Sequence, residues 1–193
     1  MKLKVFIAGQ KQLALMLFKR CLNENVTVVG CCCPENDKHL RPYAASLGYR
    51  VYSPKELNEA PLNDIDIGFC AHYFGKISAD LIDSTRLGWL GYHPSLLPRH
   101  KGKNSIIDTI NSGDKFAGGT LYWLNSGMDD GDIAYQDFYV LKESIYDMPK
   151  EEAIKRLWID YLSPLGLSLF ESAIHDLKRG IIRRQPQQTK YAG

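Results

Sequence analysis

At 193 residues, 45% hydrophobic and 24% charged, the chain has the composition of one globular domain with a core of its own. Twenty-four lysines and arginines against 22 acidic residues leave a formal charge of +2, which gives no case for nucleic acid as a bulk polyanionic partner. No apolar run approaches the roughly eighteen residues a membrane span needs, and the apolar stretch within residues 1–9 is too short for a secretion signal. The expectation is a cytoplasmic protein in which residues 1–193 form a single domain with nothing appended after it.

In chain order, residues 4–8 form a short apolar run ended by Gly9, and residues 12–21 follow with Leu13, Met16, Leu17 and Cys21 at helical spacing. A second buried strand is predicted at 26–32, a helix at 37–47 stopped by Gly48, and short strands at 49–52 and 65–71. A helix at 78–84 precedes a fifth strand at 88–92. Strands alternating with helices at this pitch predict an α/β fold, a Rossmann-like, doubly wound and mostly parallel sheet with helices on both faces. Ligands in such sheets bind outside the carboxyl ends of the strands. The turn after the first strand offers only Gly9, whereas a dinucleotide fingerprint needs three glycines there, so NAD and FAD are not expected.

Further along, residues 104–111 carry Ile106, Ile107 and Ile110 at helical spacing, and strands are predicted at 119–124 and 133–140. Residues 150–178 read as one long core-packing helix, with a kink expected near Pro164 and Gly166. Residues 179–193 are basic and polar. The five cysteines, 21, 31, 32, 33 and 70, have no zinc-ligand spacing and read as small buried core residues. No metal is expected.

Two stretches stand out as carriers of chemistry. In Gly91-Tyr-His-Pro-Ser-Leu-Leu-Pro-Arg-His-Lys-Gly102 an apolar strand runs into His93 and stops against Pro94, since proline has no N–H for the ladder. Pro94 and Pro98 bracket a stiff loop of the kind that carries binding groups on a rigid scaffold. In Gly127-Met-Asp-Asp-Gly-Asp132 two carboxylates lie in a glycine-bounded turn between strands. A histidine and a carboxylate can meet there, and His93 and Asp129 are the candidate pair. Asp130 and Asp132 read as turn residues, and His72 and His100 as structural ones. Arg99 is open between a loop-stabilising and an anion-facing role.

These residues resemble the catalytic domain shared by folate-dependent formyltransferases and hydrolases. The resemblance covers nearly the whole chain and rests on His93-Pro-Ser-Leu-Leu-Pro-Arg99 with Gly102, then Gly118-Gly-Thr120, then Gly127-Met-Asp129-Asp-Gly-Asp132. The segment Tyr92–His100 is most similar to the hydrolase domain of 10-formyltetrahydrofolate dehydrogenase. The family's usual triad is Asn, His and Asp, and the asparagine position is here Gly91. The resemblance implies catalytic roles for His93 and Asp129, and contacts to a reduced folate from Tyr73, Phe74, Ile77, Tyr92, Ser95, Leu97, Asn125, Gly127 and Met128. For Tyr73 and Phe74 core packing is the alternative.

The reaction implied is passage of a formyl group from 10-formyltetrahydrofolate, as co-substrate, to an amine on a small molecule such as an amino sugar or nucleotide. Hydrolysis of the same donor to formate is one alternative, and a catalytically weakened folate-binding protein is another. Charge developing on the formyl oxygen needs a donor already in place, which is the role expected of His93. Asp129 is expected to stabilise the imidazolium or to accept the nucleophile's proton. With Gly91 in place of asparagine, a backbone amide, a water or a substrate group would have to supply the missing donor.

Overall fold

A computed structural model describes residues 2–59, 62 and 64–187. Seven strands form one sheet: β1 (Lys4–Gly9), β2 (Thr27–Cys32), β3 (Val51–Tyr52), β4 (Ile67–Ala71), β5 (Trp89–His93), β6 (Phe116–Trp123) and β7 (Ile133–Val140), in the order β3-β2-β1-β4-β5-β6-β7. The first five are parallel, and β6 and β7 are antiparallel additions at one edge. This is the mostly parallel, doubly wound sheet that the sequence pattern predicts.

Period-two alternation sorts each central strand between two cores. Val5 and Ile7 of β1 face one core with Ile67, Phe69, Leu90 and Tyr92, covered by helices α1 (Lys11–Asn23), α2 (Leu40–Ser46) and α7 (Ser163–Lys178). Phe6 and Ala8 face the other with Cys70 and Trp89, covered by α3 (Pro54–Leu57) and α4 (Ala79–Ser84). Two further helices, α5 (Ser105–Asn111) and α6 (Lys150–Arg156), pack together beside a third, smaller cluster around Leu141, Ile145 and Leu157. All five cysteines are buried and free, and burial pushes the Cys33 thiol up to about 11 and those of Cys21 and Cys32 to about 12. They are core residues, as their composition suggests.

Three differences from the predicted elements have local causes. The helix expected at 37–47 begins at Leu40, because the Asp37 carboxylate accepts the N–H groups of His39, Leu40 and Arg41 and holds residues 37–39 in a capping turn. Helix α3, not foreseen, starts from a capping box in which Ser53 and Glu56 satisfy one another's backbone N–H. The long helix expected at 150–178 is divided into α6, a π-helical turn at Leu157–Leu162, and α7. Pro164 stands in the first turn of α7, where its missing N–H is tolerated, and the wider turn ahead of it takes the place of an interior proline's broken ladder.

Gly9 ends β1 for a packing reason. A Cβ there would run into the Ala71 carbonyl oxygen, which instead accepts the Gln10 N–H at 3.3 Å. The β1 turn is therefore sealed against β4, and the carboxyl ends of β4 and β5 are left to open a site.

Candidate functional site

Beyond the ends of β4 and β5 lies a cavity of about 780 Å³. His93, Gly91, Tyr122 and Asp129 line it. The exposed loop after β4 supplies Tyr73, Phe74 and Ile77, α5 supplies Ile106 and Ile107, and α6 and the π-helical turn supply Ile154 and Trp158. Lys76, Lys103 and Lys155 also line it, and among the described residues Asp129 is its one acidic group. Phe74 and Met128, 73% and 71% exposed, are large apolar side chains left uncovered at this cavity.

Strand period places the reacting face. Trp89 packs in the same core as Phe6 while Leu90 and Tyr92 enter the opposite one, so Gly91 and His93 share the Trp89 side and the cavity. His93 is held at the strand's end by the loop that follows. Thr120, its register partner on β6, donates to the Ser95 carbonyl at 2.7 Å and accepts the Leu97 N–H at 3.1 Å. The Leu97–Pro98 peptide is cis. The loop then returns so that the His100 carbonyl lies 2.8 Å from His93 Nε2. A carbonyl only accepts, so Nε2 carries the hydrogen and Nδ1 is the nitrogen free to gain or lose a proton.

Nδ1 faces Asp129 Oδ2 at 3.5 Å, with the two side chains only 8% and 14% exposed. Asp129 is fixed from both sides. Its Oδ2 accepts the Gly102 N–H at 2.7 Å and its Oδ1 accepts the Tyr122 hydroxyl at 2.7 Å. Its backbone is left-handed, φ 52°, uncommon for a residue with a side chain, and the Gln187 amide donates to its carbonyl at 2.7 Å. With Nε2 engaged, a neutral His93 can take a proton at Nδ1 and a protonated one can donate from it, so one nitrogen can serve both base and oxyanion donor.

The sequence-derived residues divide clearly. His93, Asp129, Tyr73, Phe74, Ile77, Asn125, Gly127 and Met128 all line the cavity. Tyr92 borders it, but its ring packs near Phe170 on the far face and its hydroxyl donates to the Leu162 carbonyl at 2.6 Å. Ser95 and Leu97 do not line it. Ser95 is 1% exposed and donates to the Arg99 carbonyl, and Leu97 is 3% exposed with its backbone tied to Thr120 and Gln136. Both shape the His93 loop from beneath, as the proline-bracketed stretch requires, instead of forming its wall. Arg99 and His100 both pair with Asp114, and Asp130 with Lys101.

Four contributors escape a reading of the motifs. Tyr122 and Leu124 crowd Gly91: a Cβ on that glycine would stand 2.7 Å from Leu124 Cδ2 and 3.3 Å from Tyr122 Cε1. The space a Cβ on Gly91 would take is thus bounded by side chains. Gln187 reaches the Asp129 turn because residues 181–187 fold back along β7, with Ile133 and Gln185 exchanging backbone hydrogen bonds at 2.8 and 2.9 Å. His72 also lines the cavity, its ring set edge-on to Phe74 and Trp158, and burial lowers its pKa to about 4. Among the described residues no three His, Cys, Asp or Glu side chains cluster to hold a metal ion, and no helix is long and apolar enough to cross a membrane.

A doubly wound sheet of this order, with a cavity beyond the carboxyl ends of its strands, defines a class of α/β domains that take their ligands at that edge. The family model "Formyl transferase" matches residues 1–146, and the chain belongs to that family. It is 31% identical over 206 aligned positions to mouse mitochondrial 10-formyltetrahydrofolate dehydrogenase, covering 96% of this chain and 21% of that protein. With the methionyl-tRNA formyltransferase of Elusimicrobium minutum it shares 32% over 149 positions, 75% of this chain and 42% of the relative. The chain therefore spans about a fifth of the first relative's length and less than half of the second's. The fold superposes on a sugar 3N-formyl transferase, WlaRD, solved in the presence of dTDP and 5-N-formyl-THF, with a TM-score of 0.80 and 22% identity, covering 100% of this chain and 69% of that one.

Proposed function

We propose that the protein transfers a formyl group from 10-formyltetrahydrofolate to a primary amine on a small molecule, an amino sugar or nucleotide. The observation that carries this is the His93–Asp129 pair, 3.5 Å apart, on the lining of a largely apolar cavity. The sugar formyltransferase solved with 5-N-formyl-THF and the similarity to 10-formyltetrahydrofolate dehydrogenase and methionyl-tRNA formyltransferase support a reduced folate as co-substrate. So does the lining itself, whose three lysines against one carboxylate favour an anionic ligand, with Tyr73, Phe74, Ile77 and Leu124 offering apolar surface for a pterin ring.

In the proposed step the amine nitrogen attacks the formyl carbon, and charge collects on the formyl oxygen. A protonated His93 donates to it from Nδ1, beside the fixed Asp129 carboxylate. Collapse breaks the carbon–N10 bond, N10 gains one proton and the former amine gives one up. Asp129 or His93 relays it. A preorganised donor of this kind is worth about a hundred- to a thousandfold in rate.

Hydrolysis is a second reading, favoured by the glycine at 91, where no side-chain amide is present, and by the identity with 10-formyltetrahydrofolate dehydrogenase. Water then replaces the amine and formate leaves. A catalytically weakened folate-binding protein is the remaining reading of Gly91.

One assay separates them. The protein is mixed with 10-formyltetrahydrofolate, with and without amino sugars and aminated nucleotides, and tetrahydrofolate, formate and formylated amine are followed together. Transfer gives tetrahydrofolate only with amine present, and hydrolysis gives equal formate and tetrahydrofolate without it. Binding of 5-formyltetrahydrofolate by calorimetry with no turnover identifies the binding protein, and neither binding nor turnover overturns all three.

A further inference from the structure

We propose that Tyr122 is a positioning residue of this site: its phenol, with Leu124, bounds the volume a side chain at position 91 would need, and its hydroxyl holds Asp129 with Oδ2 turned toward His93. The inference rests on the proposed function only for its kinetic readouts. Gly91 and Tyr122 are register partners across the antiparallel β5–β6 pair. A Cβ on Gly91 would stand 2.7 Å from Leu124 Cδ2 and 3.3 and 3.4 Å from Tyr122 Cε1 and Cζ, so the missing Cβ leaves room for both side chains beside β5. From there the hydroxyl reaches Asp129 Oδ1 at 2.7 Å.

The hydroxyl has one hydrogen, and it is spent on Asp129. Burial, with the Asp129 charge added, pushes the phenol's ionisation far above its ordinary value, so it stays a donor at any working pH. This matters because the Asp129 backbone is left-handed and persists only when its surroundings over-determine it. The Gly102 N–H anchors Oδ2 and the Gln187 amide anchors the carbonyl. Oδ1 takes its hydrogen bond from Tyr122. Without it the carboxylate can rotate about the Gly102 contact, and the 3.5 Å approach of Oδ2 to His93 Nδ1 is no longer enforced.

The test uses Tyr122→Phe, which keeps the ring and removes the hydroxyl, and Tyr122→Ala alone and with Gly91→Asn. With 10-formyltetrahydrofolate as substrate, Tyr122→Phe is expected to lower kcat about ten- to a hundredfold, the scale of a small misplacement at the reacting centre, with KM changed by about twofold or less. Gly91→Asn should cost activity in the parent, where the phenol and Leu124 bound the space. In Tyr122→Ala only the flexible end of Leu124 has still to turn aside, and the same change should raise activity, because the amide finds the volume the phenol vacated and can donate to Oδ1. Unchanged kcat in Tyr122→Phe, or losses that multiply in the double variant, overturn the proposal.

A readout free of turnover keeps it separable from the functional reading. In protein carrying ¹⁵N-histidine, the parent should show, once the imidazole is protonated, a downfield His93 Nδ1–H resonance that is lost to exchange in Tyr122→Phe, while thermal melting confirms both are folded. A resonance equally sharp in both, or absent from both, overturns the positioning role even if the parent has no folate activity at all.

Discussion

His93 Nε2 lies 2.8 Å from the carbonyl oxygen of His100, seven residues further along the same loop. That contact fixes which nitrogen carries the hydrogen and leaves Nδ1 alone to meet Asp129 and the cavity. Residues that act through one shared proton lose nearly everything at the first deletion. His93→Ala and Asp129→Asn are each expected to lower formyl release about a hundred- to a thousandfold, with the double variant little worse than either. Asp130→Asn should stay within about tenfold of the parent, since Asp130 turns outward to Lys101. Single-turnover measurements of tetrahydrofolate release check this, and equal losses at Asp129 and Asp130 would refute the assignment.

Gly91 gives a prediction about stability. Its missing Cβ is bounded by the far end of the Leu124 side chain at 2.7 Å and by the Tyr122 ring. Overpacking of this kind costs about 1–3 kcal/mol, and less where the obstructing group can turn away. Gly91→Ala is therefore expected to lie near the bottom of that range. Combined with Leu124→Ala it should cost less than the two single losses added together, by about 0.5 kcal/mol or more, since the two groups contend for one space. Urea denaturation of the four proteins measures the coupling. Strict additivity would show that Leu124 does not bound the glycine in solution.

Gly68 offers a harsher case on the same sheet face. A Cβ there would fall within the indole of Trp89, a fully buried ring packed near Phe6, and no flexible end is available to move. Gly68→Ala should cost about 3 kcal/mol and lower the melting temperature by roughly 6–12 °C. A drop of less than about 2 °C would mean that the Trp89 ring is free to move.

The strands were legible because apolar runs of four to eight residues between glycines and polar turns carry their own punctuation, and residues 133–140 were placed to the residue. The His93–Asp129 meeting was legible because proline, glycine and aspartate dictate where a chain stops and turns. Ser95 and Leu97 were misplaced for a related reason. A motif shows that a loop is stiff, whereas which of its side chains point outward depends on Thr120 and Gln136, contributed by strands that begin more than fifteen residues later. Tyr122 was hidden in the ordinary alternation of a strand, and only pairing opposite Gly91 gives its hydroxyl a task. The return of residues 181–187 to the Asp129 turn left no periodic trace. Of the basic, polar stretch 179–193, residues 188–193 lie outside the described residues.

The last prediction concerns acid. His72 lies among Phe74, Trp158 and the cavity lining, and burial, with a smaller contribution from the Lys11 charge, lowers its pKa from 6.5 to about 4. Its Nδ1 is buried and has no hydrogen-bond partner among the described residues. Because the folded pKa is depressed, the unfolded chain binds a proton that the folded chain refuses as pH falls below about 6.5, so stability is lost progressively between 6.5 and 4. Below about 4 the folded histidine is protonated too and the loss stops growing. Carboxylates such as Asp37 and Asp66, held low by backbone hydrogen bonds, add a loss of the same sign only as pH falls through the acid range. His72→Phe removes the histidine and keeps an aromatic ring against Trp158. It should therefore lose less stability than the parent between pH 7 and pH 5, while both fall together below pH 4. Urea denaturation at pH 7, 6, 5 and 4 measures the difference. Parallel curves throughout would show that His72 takes up its proton in the fold as readily as in the unfolded chain.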